Sequence, residues 1–255
     1  MSKHQIGYTI FGAFTLLYAY GYIVNGWSLI YFVIPLVLWL SLVVSGSFFI
    51  RFNYHLNAIL KVKTKEKVLA ITFDDGPTKY TEKILNLLSK EEHKVTFFCV
   101  GSRIEEHPDL VRRMHLEGHL IGNHTYSHVQ QMGFKSIRKI EEEIIKTDEI
   151  IKVHTGDHPS YFRPPFGVTN PNIMRAIRKT NHKVIGWNIR SLDTVIKDEY
   201  KVFLRIKKQL KPGSIILLHD TSEQSVHILE RLLLCLNEMN YRSVTIDELI
   251  KLESK

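Results

Sequence analysis

From residue 67 to the carboxyl terminus the sequence alternates between short β-branched runs and amphipathic helical patterns. Strand patterns cover 67–73 (KVLAITF), 95–100 (VTFFCV), 119–123 (HLIGN), 160–163 (SYFR), 183–188 (KVIGWN), 214–218 (SIILL) and 241–245 (YRSVT). Helical patterns cover 80–90, 103–117, 136–152, 171–180, 198–210, 224–239 and 246–253. Seven strand and helix pairs in strict alternation require right-handed parallel crossovers, which leaves an open doubly wound sheet or a closed barrel. The unusual polar residues choose between the two. Asp74-Asp75 follow the first strand, Asn123-His124 the third, Arg163-Pro164-Pro165 the fourth, Trp187-Asn188 the fifth and His219-Asp220 the sixth. An open sheet gathers ligand groups at one switch point, whereas a barrel gathers loops from nearly every strand onto one rim. Five contributing strands favour an α/β barrel over residues 67–255.

The amino-terminal fifth is different in kind. Residues 5–24 and 28–50 carry no formal charge, and each run is long enough to cross a bilayer. The second is rich in Leu, Ile, Val, Phe and Trp; the first, with three Gly and four Tyr, is weaker. Only Asn25-Gly26-Trp27-Ser28 separates them, so residues 1–50 are expected to form a transmembrane helical hairpin retained as an anchor. A cleaved signal peptide fits less well, because no small-x-small pattern closes the first run. Residues 51–66 read as a linker. Lys3 before the hairpin and Arg51, Lys61, Lys63, Lys65 and Lys67 after it would place both flanks in the cytoplasm by the positive-inside tendency, on thin charge evidence.

The net charge of +8 resides almost wholly after residue 50 and suits anionic headgroups or an acidic glycan. It lacks the dense Lys/Arg runs with interleaved aromatics that nucleic acid would require, so no nucleic-acid partner is expected. Cys99 and Cys235 sit far apart in apolar stretches and read as buried thiols.

Within the rim segments several groups can carry chemistry. "ITFDDGP" (71–77) is by itself an ordinary solvated turn. "GNHTYSH" supplies His124 and His128 at i, i+4, which on a helical turn would put both imidazoles on one face, as a metal needs. Two imidazoles and one carboxylate, from Asp74 or Asp75, make a three-ligand set with room for water, and the second carboxylate stays free to accept a proton. Zinc suits these ligand types best, with iron, cobalt and nickel also compatible. Arg163, stiffened by two prolines, can fork onto a carboxylate. His219 at a strand end can protonate a leaving group, and Asp193 can pair with a histidine. Trp187 reads as core, while Glu141 to Glu143, His154, His158 and His227 read as surface.

In order, TFDDGP (72–77), HTYSH (124–128), RPPFG (163–167), WNIRSLDT (187–194) and LLHD (217–220) resemble the five motifs of the polysaccharide deacetylases, carbohydrate esterase family 4, also called the NodB-homology domain. The resemblance covers about residues 67–250. It implies a metal-dependent hydrolase that removes acetyl groups from N-acetylated sugars on a distorted (β/α)7 barrel. It further implies Asp74 as general base, Asp75, His124 and His128 as metal ligands, and His219 as general acid paired with Asp193. Arg163 would orient Asp74, the Phe166 backbone N–H would meet the oxyanion, and Leu217 would line the acetyl pocket. The expected substrate is an N-acetylated glycan, peptidoglycan-like or chitooligosaccharide-like. A deformylase of a lipid-linked amino sugar and an inactive membrane-tethered glycan-binding module are the alternatives. By the resemblance the catalytic domain is extracytoplasmic. The fourth motif departs from the family's Asp-x-x-Asp-Trp pattern, with Arg190 and Thr194 where an acid and a tryptophan are common, and Phe166 replaces the frequent tyrosine of the third.

Overall fold

The computed structural model describes residues 3–91 and 93–253. Residues 1, 2, 92, 254 and 255, which the expected domain ranges include, lie outside them. Nine strands are described: β1 (Ala58–Ile59), β2 (Val68–Asp74), β3 (Thr96–Cys99), β4 (Leu120–Asn123), β5 (Tyr161–Phe162), β6 (Lys183–Ile185), β7 (Ile189–Arg190), β8 (Ile215–His219) and β9 (Arg242–Ser243). They run in the order β1-β6-β5-β4-β3-β2-β8-β7, with β9 beside β2, and every named pair is parallel. Around them lie α3 (Lys79–Leu88), α4 (Gly101–Glu106), α5 (Pro108–Leu116), α6 (Ile137–Thr155), α7 (Pro171–Thr180), α8 (Glu199–Lys207), α9 (Glu223–Glu238) and α10 (Ile246–Lys251), after the N-terminal α1 (Lys3–Asn25) and α2 (Ile30–Phe48).

The expected distorted barrel is a curled half-barrel. β5 and β7, each of two residues, are too short to complete a ring of strands. β1 extends the sheet beyond β6, and the opening between β1 and the other edge is crossed by the segment that follows β1. There Lys61 bridges Ser214, Val62 N–H donates to Gly213 O (2.9 Å) and Gly186 N–H donates to Ile59 O (2.9 Å). Residues 51–66 are therefore not a free linker: β1 pairs with β6, and Leu56 and Ala58 are buried. A second difference is the helix expected over 103–117, which is two helices. Pro108 opens α5, and the residue before a proline avoids helical geometry, so His107 sits at φ −135°, ψ 54° and breaks the run.

Strand parity explains what points where. On β2, Leu69, Ile71 and Phe73 pack outward against helix residues such as Ile84 and Leu232. Val68 and Ala70 pack inward with Phe98 and Ile185. With a period of two, Thr72 and Asp74 continue the inward row. On β8 the inward row is Ile215, Leu217 and His219, and the pairing register sets Asp74 opposite His219. The two strands thus deliver a carboxylate and an imidazole to one level of the rim.

α1 and α2 form a hairpin held by aromatic contacts, Phe11 on Trp39 at 4.6 Å and Tyr18 with Phe32 at 5.1 Å between ring centroids. Both helices are long and apolar enough to cross a membrane, and only 11% and 6% of their most apolar stretches are buried, unlike helices of a protein core. The end of α2 is fastened to the rim: Thr169 donates from N–H to Ser47 O (2.8 Å) and from Oγ1 to Gly46 O (3.2 Å). Ile50 is buried in a cluster with Phe162 and Ile173. Cys99 and Cys235 are buried free thiols.

Candidate active site

The first carboxylate pair sits where β2 ends. Asp74 points inward by strand parity, and Asp75 follows in the left-handed region at φ 73°, so the chain turns at once and both carboxylates face the same cavity. Gly76 lies against the Asp220 carboxylate, which leaves no room for a side chain. Asp74 is held by Arg163, which is wholly buried: Nη1 donates to Asp74 Oδ1 (2.6 Å) and to Thr72 Oγ1 (2.7 Å). The expected fork onto a carboxylate is end-on instead, because Nε and Nη2 are committed to the Ile185 and Gly186 carbonyls at 3.2 and 3.0 Å.

His124 and His128 come together, though not on a helix. They lie in a loop after β4, with Thr125 at φ 67° and His128 at φ 47°. The Asn123 side chain prevents a helix by accepting from Thr125 N–H (2.8 Å) while it donates to Ile144 O (2.8 Å) and Asp148 Oδ1 (2.7 Å). Glu143 on α6, read from sequence as surface, accepts from both Ser127 N–H (2.8 Å) and Ser127 Oγ (2.7 Å) and pairs with Lys135. Burial raises its pKa, but these contacts outweigh burial and leave it below the ordinary value.

The donor atoms of Asp75, His124 and His128 all lie within 4.8 Å of one another, and among the described residues they are the one such cluster of three. His124 Nε2 is 3.4 Å and His128 Nε2 is 3.0 Å from Asp75 Oδ1. Ligand atoms about 2.1 Å from one tetrahedral cation stand about 3.4 Å apart, so the spacing fits a metal of zinc's size. The donor chemistry fits too. His124 Nδ1 is 2.7 Å from Arg163 O, a pure acceptor, so Nδ1 carries the hydrogen and Nε2 is the nitrogen left to face the Asp75 carboxylate, as a metal-ligating histidine requires. Burial raises the pKa of Asp75, yet the two imidazoles hold it well below the carboxylate range.

Across the cavity, His219 Nδ1 is 2.9 Å from Asp193 Oδ1, and its backbone N–H donates to Asp193 Oδ2 (2.8 Å). Asp193 is fixed in turn by Ser191 Oγ (2.7 Å), and Gln224 Nε2 donates to its carbonyl (3.1 Å). Burial lowers the pKa of His219, but Asp193, with help from Asp74 and Asp75, overrides it and raises the imidazole to about 9. The remaining walls of this cavity of about 290 Å³ include Phe166, Leu217, Arg190 and Thr194. Trp187, read as core, is half-buried and lines the cavity as well as packing on its neighbours. Phe166 stands at φ 59°, and its ring lies 4.7 Å from that of His128. All nine site residues read from sequence thus gather on one rim. Thr72 and Ser191, inside the first and fourth motifs, and Asn123 and Glu143, outside the five, hold them in place, and the sequence assigns them no role.

The polysaccharide deacetylase sequence profile matches residues 61–185. A peptidoglycan-N-acetylglucosamine deacetylase of Bacillus cereus is 33% identical over 197 residues, covering 75% of this chain and 92% of its own. The peptidoglycan-N-acetylmuramic acid deacetylase PdaA of Bacillus subtilis is 32% identical over 192 residues, 73% of each chain. The solved structure of the peptidoglycan deacetylase PdaC from Bacillus subtilis superposes with a TM-score of 0.70 at 31% identity, over 75% of this chain and 93% of that one. A curled parallel half-barrel, a rim bearing five ordered motifs and relatives of this closeness lead to one assignment: the chain belongs to the polysaccharide deacetylases of carbohydrate esterase family 4, hydrolases of amide bonds outside peptides.

Proposed function

We propose that this chain is a membrane-anchored, metal-dependent deacetylase that removes N-acetyl groups from a sugar of a peptidoglycan-like or chitooligosaccharide-like glycan. The observation that carries the reading is the convergence of Asp75, His124 and His128 beside Asp74 and opposite His219 in one cavity. A divalent cation held by the first three, zinc by ligand type with cobalt, nickel or iron also suited, supplies Lewis acidity and makes water acidic at neutral pH.

The protein's own groups do the rest. Asp74, aimed by Arg163, takes the proton of the attacking water through Oδ2, the oxygen that Arg163 leaves free. The Phe166 backbone N–H donates to the oxyanion that forms at the amide carbon, and Leu217 packs against the acyl methyl. His219 is already protonated at neutral pH and gives its Nε2 proton to the departing amine, while Asp193 keeps Nδ1–H in place. Arg190 and Thr194 widen and charge the wall where a tryptophan would close the acetyl pocket. That wall is the observation favouring a second reading, removal of another small acyl group, such as formyl, from a lipid-linked amino sugar.

The two apolar helices are read as spans that leave both flanks and the catalytic domain on one side. That side is taken to be the outer one, because the relatives act on peptidoglycan. We take residues 1–50 as the anchor and place the start of the catalytic unit near residue 50, ahead of residue 67, because β1 belongs to the sheet. The test is acetate release by the full chain in detergent, with zinc restored after chelation, from peptidoglycan and chitin fragments. Asp74→Asn is expected to abolish release while metal content stays stoichiometric. Full release by that variant overturns the mechanism.

A further inference from the structure

A second cavity, of about 440 Å³, adjoins the catalytic one. The two share Phe166, Trp187, Arg190 and Leu192 as walls, so one molecule can occupy both. The second cavity is bounded on its far side by the end of α2 and the turn after it, Phe48 to Arg51. The acyl-transfer site therefore opens toward the end of a helix that is long and apolar enough to cross a membrane.

The lining of this second cavity is mostly apolar, and its charged members are all cations. Arg51, Arg190 and Arg205 all face it, and among its described lining residues there is no carboxylate to neutralise them. Arg205 Nε donates to Arg190 O (3.0 Å), which fixes those two side by side. The Arg51 guanidinium lies over the Phe49 and Phe52 rings at 5.7 and 5.4 Å. Guanidinium groups match phosphate oxygens in fork geometry, whereas an uncharged glycan strand offers three cations nothing. Phe48 and Phe49, 63% and 45% exposed, stand beside those cations at the level where a spanning helix leaves the hydrocarbon. On the same rim, Phe134, Phe166 and Val195 are exposed apolar residues of the loops after β4, β5 and β7. Apolar surface, then cations, then a catalytic cavity is the order of parts in an amphiphile: hydrocarbon, phosphate, sugar.

We propose that the substrate is an N-acylated sugar carried on a lipid through a phosphate or diphosphate and taken directly from the membrane. Arg51, Arg190 and Arg205 grip the phosphate, and Phe48 and Phe49 flank the hydrocarbon. This rests on the deacylase reading above and narrows its substrate class.

The test uses the full chain in nanodiscs, loaded with zinc, and two readouts. In the first, calorimetric binding of farnesyl phosphate is compared with that of farnesol and of inorganic phosphate. In the second, acyl release is followed from N-acetylglucosamine linked to farnesyl diphosphate and from a chitin tetramer. Farnesyl phosphate is expected to bind at least about tenfold more tightly than either half alone, since each charge-assisted contact is worth about a factor of ten or more. Arg51→Gln is expected to raise KM for the lipid-linked sugar about tenfold with kcat unchanged, and Arg205→Gln to act in the same direction. Three results overturn the proposal: farnesyl phosphate binding no better than farnesol, both variants leaving KM unmoved, or equal loss on the chitin tetramer. Efficient deacetylation of the tetramer without recognition of the lipid anion sinks this inference and leaves the deacetylase reading standing. Tight farnesyl phosphate binding with no acyl release from any sugar sinks the deacylase reading and the substrate assignment with it, leaving only a lipid-phosphate site.

Discussion

Replacing Asp193 with Asn separates a proton donor from the group that charges it. The carboxylate accepts twice from His219, from Nδ1–H at 2.9 Å and from the backbone N–H at 2.8 Å, and no amide can accept through both of its heads. Burial alone lowers the pKa of His219; Asp193 is the chief cause of its rise to about 9. Without that carboxylate the imidazole falls toward its unperturbed value of about 6.5, burial opposing the pull that Asp74 and Asp75 still exert. A general acid must be protonated to act, so activity declines as pH rises through its pKa, and the alkaline limb of the profile must move to lower pH. With His219 at about 6.5, roughly 3% is protonated at pH 8 against about 90% at a pKa of 9, a loss of about thirtyfold before any misorientation counts. The assay is kcat/KM for acetate release by the metal-loaded chain between pH 5 and 10, wild type against Asp193→Asn. A uniform drop with the alkaline limb unmoved would refute the reasoning and reduce Asp193 to a packing residue.

His128→Ala is expected to cut bound metal well below one equivalent by elemental analysis, since two ligands rarely hold a catalytic zinc, and chelation of the wild type should abolish acetate release until metal is restored. Glu143→Gln removes the charged acceptor that holds the His124–His128 loop and should weaken metal affinity by about tenfold, read by competition with a chelating dye. Thr72→Val strands a donor of Arg163 and the Ile216 carbonyl, both in the barrel interior, and should cost about 1–3 kcal/mol of stability by urea denaturation. His119, buried and lowered to about 4 by burial and then by Lys94 and Arg113, must charge when the chain unfolds in acid. The unfolded state then binds the extra proton between about pH 6.5 and 4, so stability falls as pH drops through that window, by up to about 3 kcal/mol; His119→Asn should flatten the slope.

The rim was legible because five polar segments, the first an ordinary turn on its own, recur in order after strands whose parity can be counted. Asp74 points inward because Ala70 and Thr72 do, and that follows from the strand period alone. What the sequence concealed was contact at a distance. His124 and His128 have helical spacing, but an Asn123 side chain closes the loop against a helix, and that depends on Ile144 and Asp148 lying across from it. Glu143 sits within Glu141-Glu142-Glu143, where one acid of three turns inward, and only the packing of α6 says which. β1 is two residues between an apolar helix and a lysine-rich stretch, too short for any periodicity, and its pairing with β6 spans well over a hundred residues. Closure of the barrel therefore had no local signature.

The fastening of Thr169 to Ser47 and Gly46 also fixes a length. An anchored domain on a flexible tether sweeps a volume that grows with the tether. Here α2 runs into the domain with no slack, so under the proposed anchoring the catalytic mouth would stay at one height above the bilayer. Were the helices embedded and the substrate lipid-linked, as proposed, turnover would be governed by the mole fraction of substrate in a two-dimensional layer. Diluting the bilayer with inert lipid would then slow the enzyme at constant bulk concentration, and wall polymer beyond the first few nanometres would be out of range.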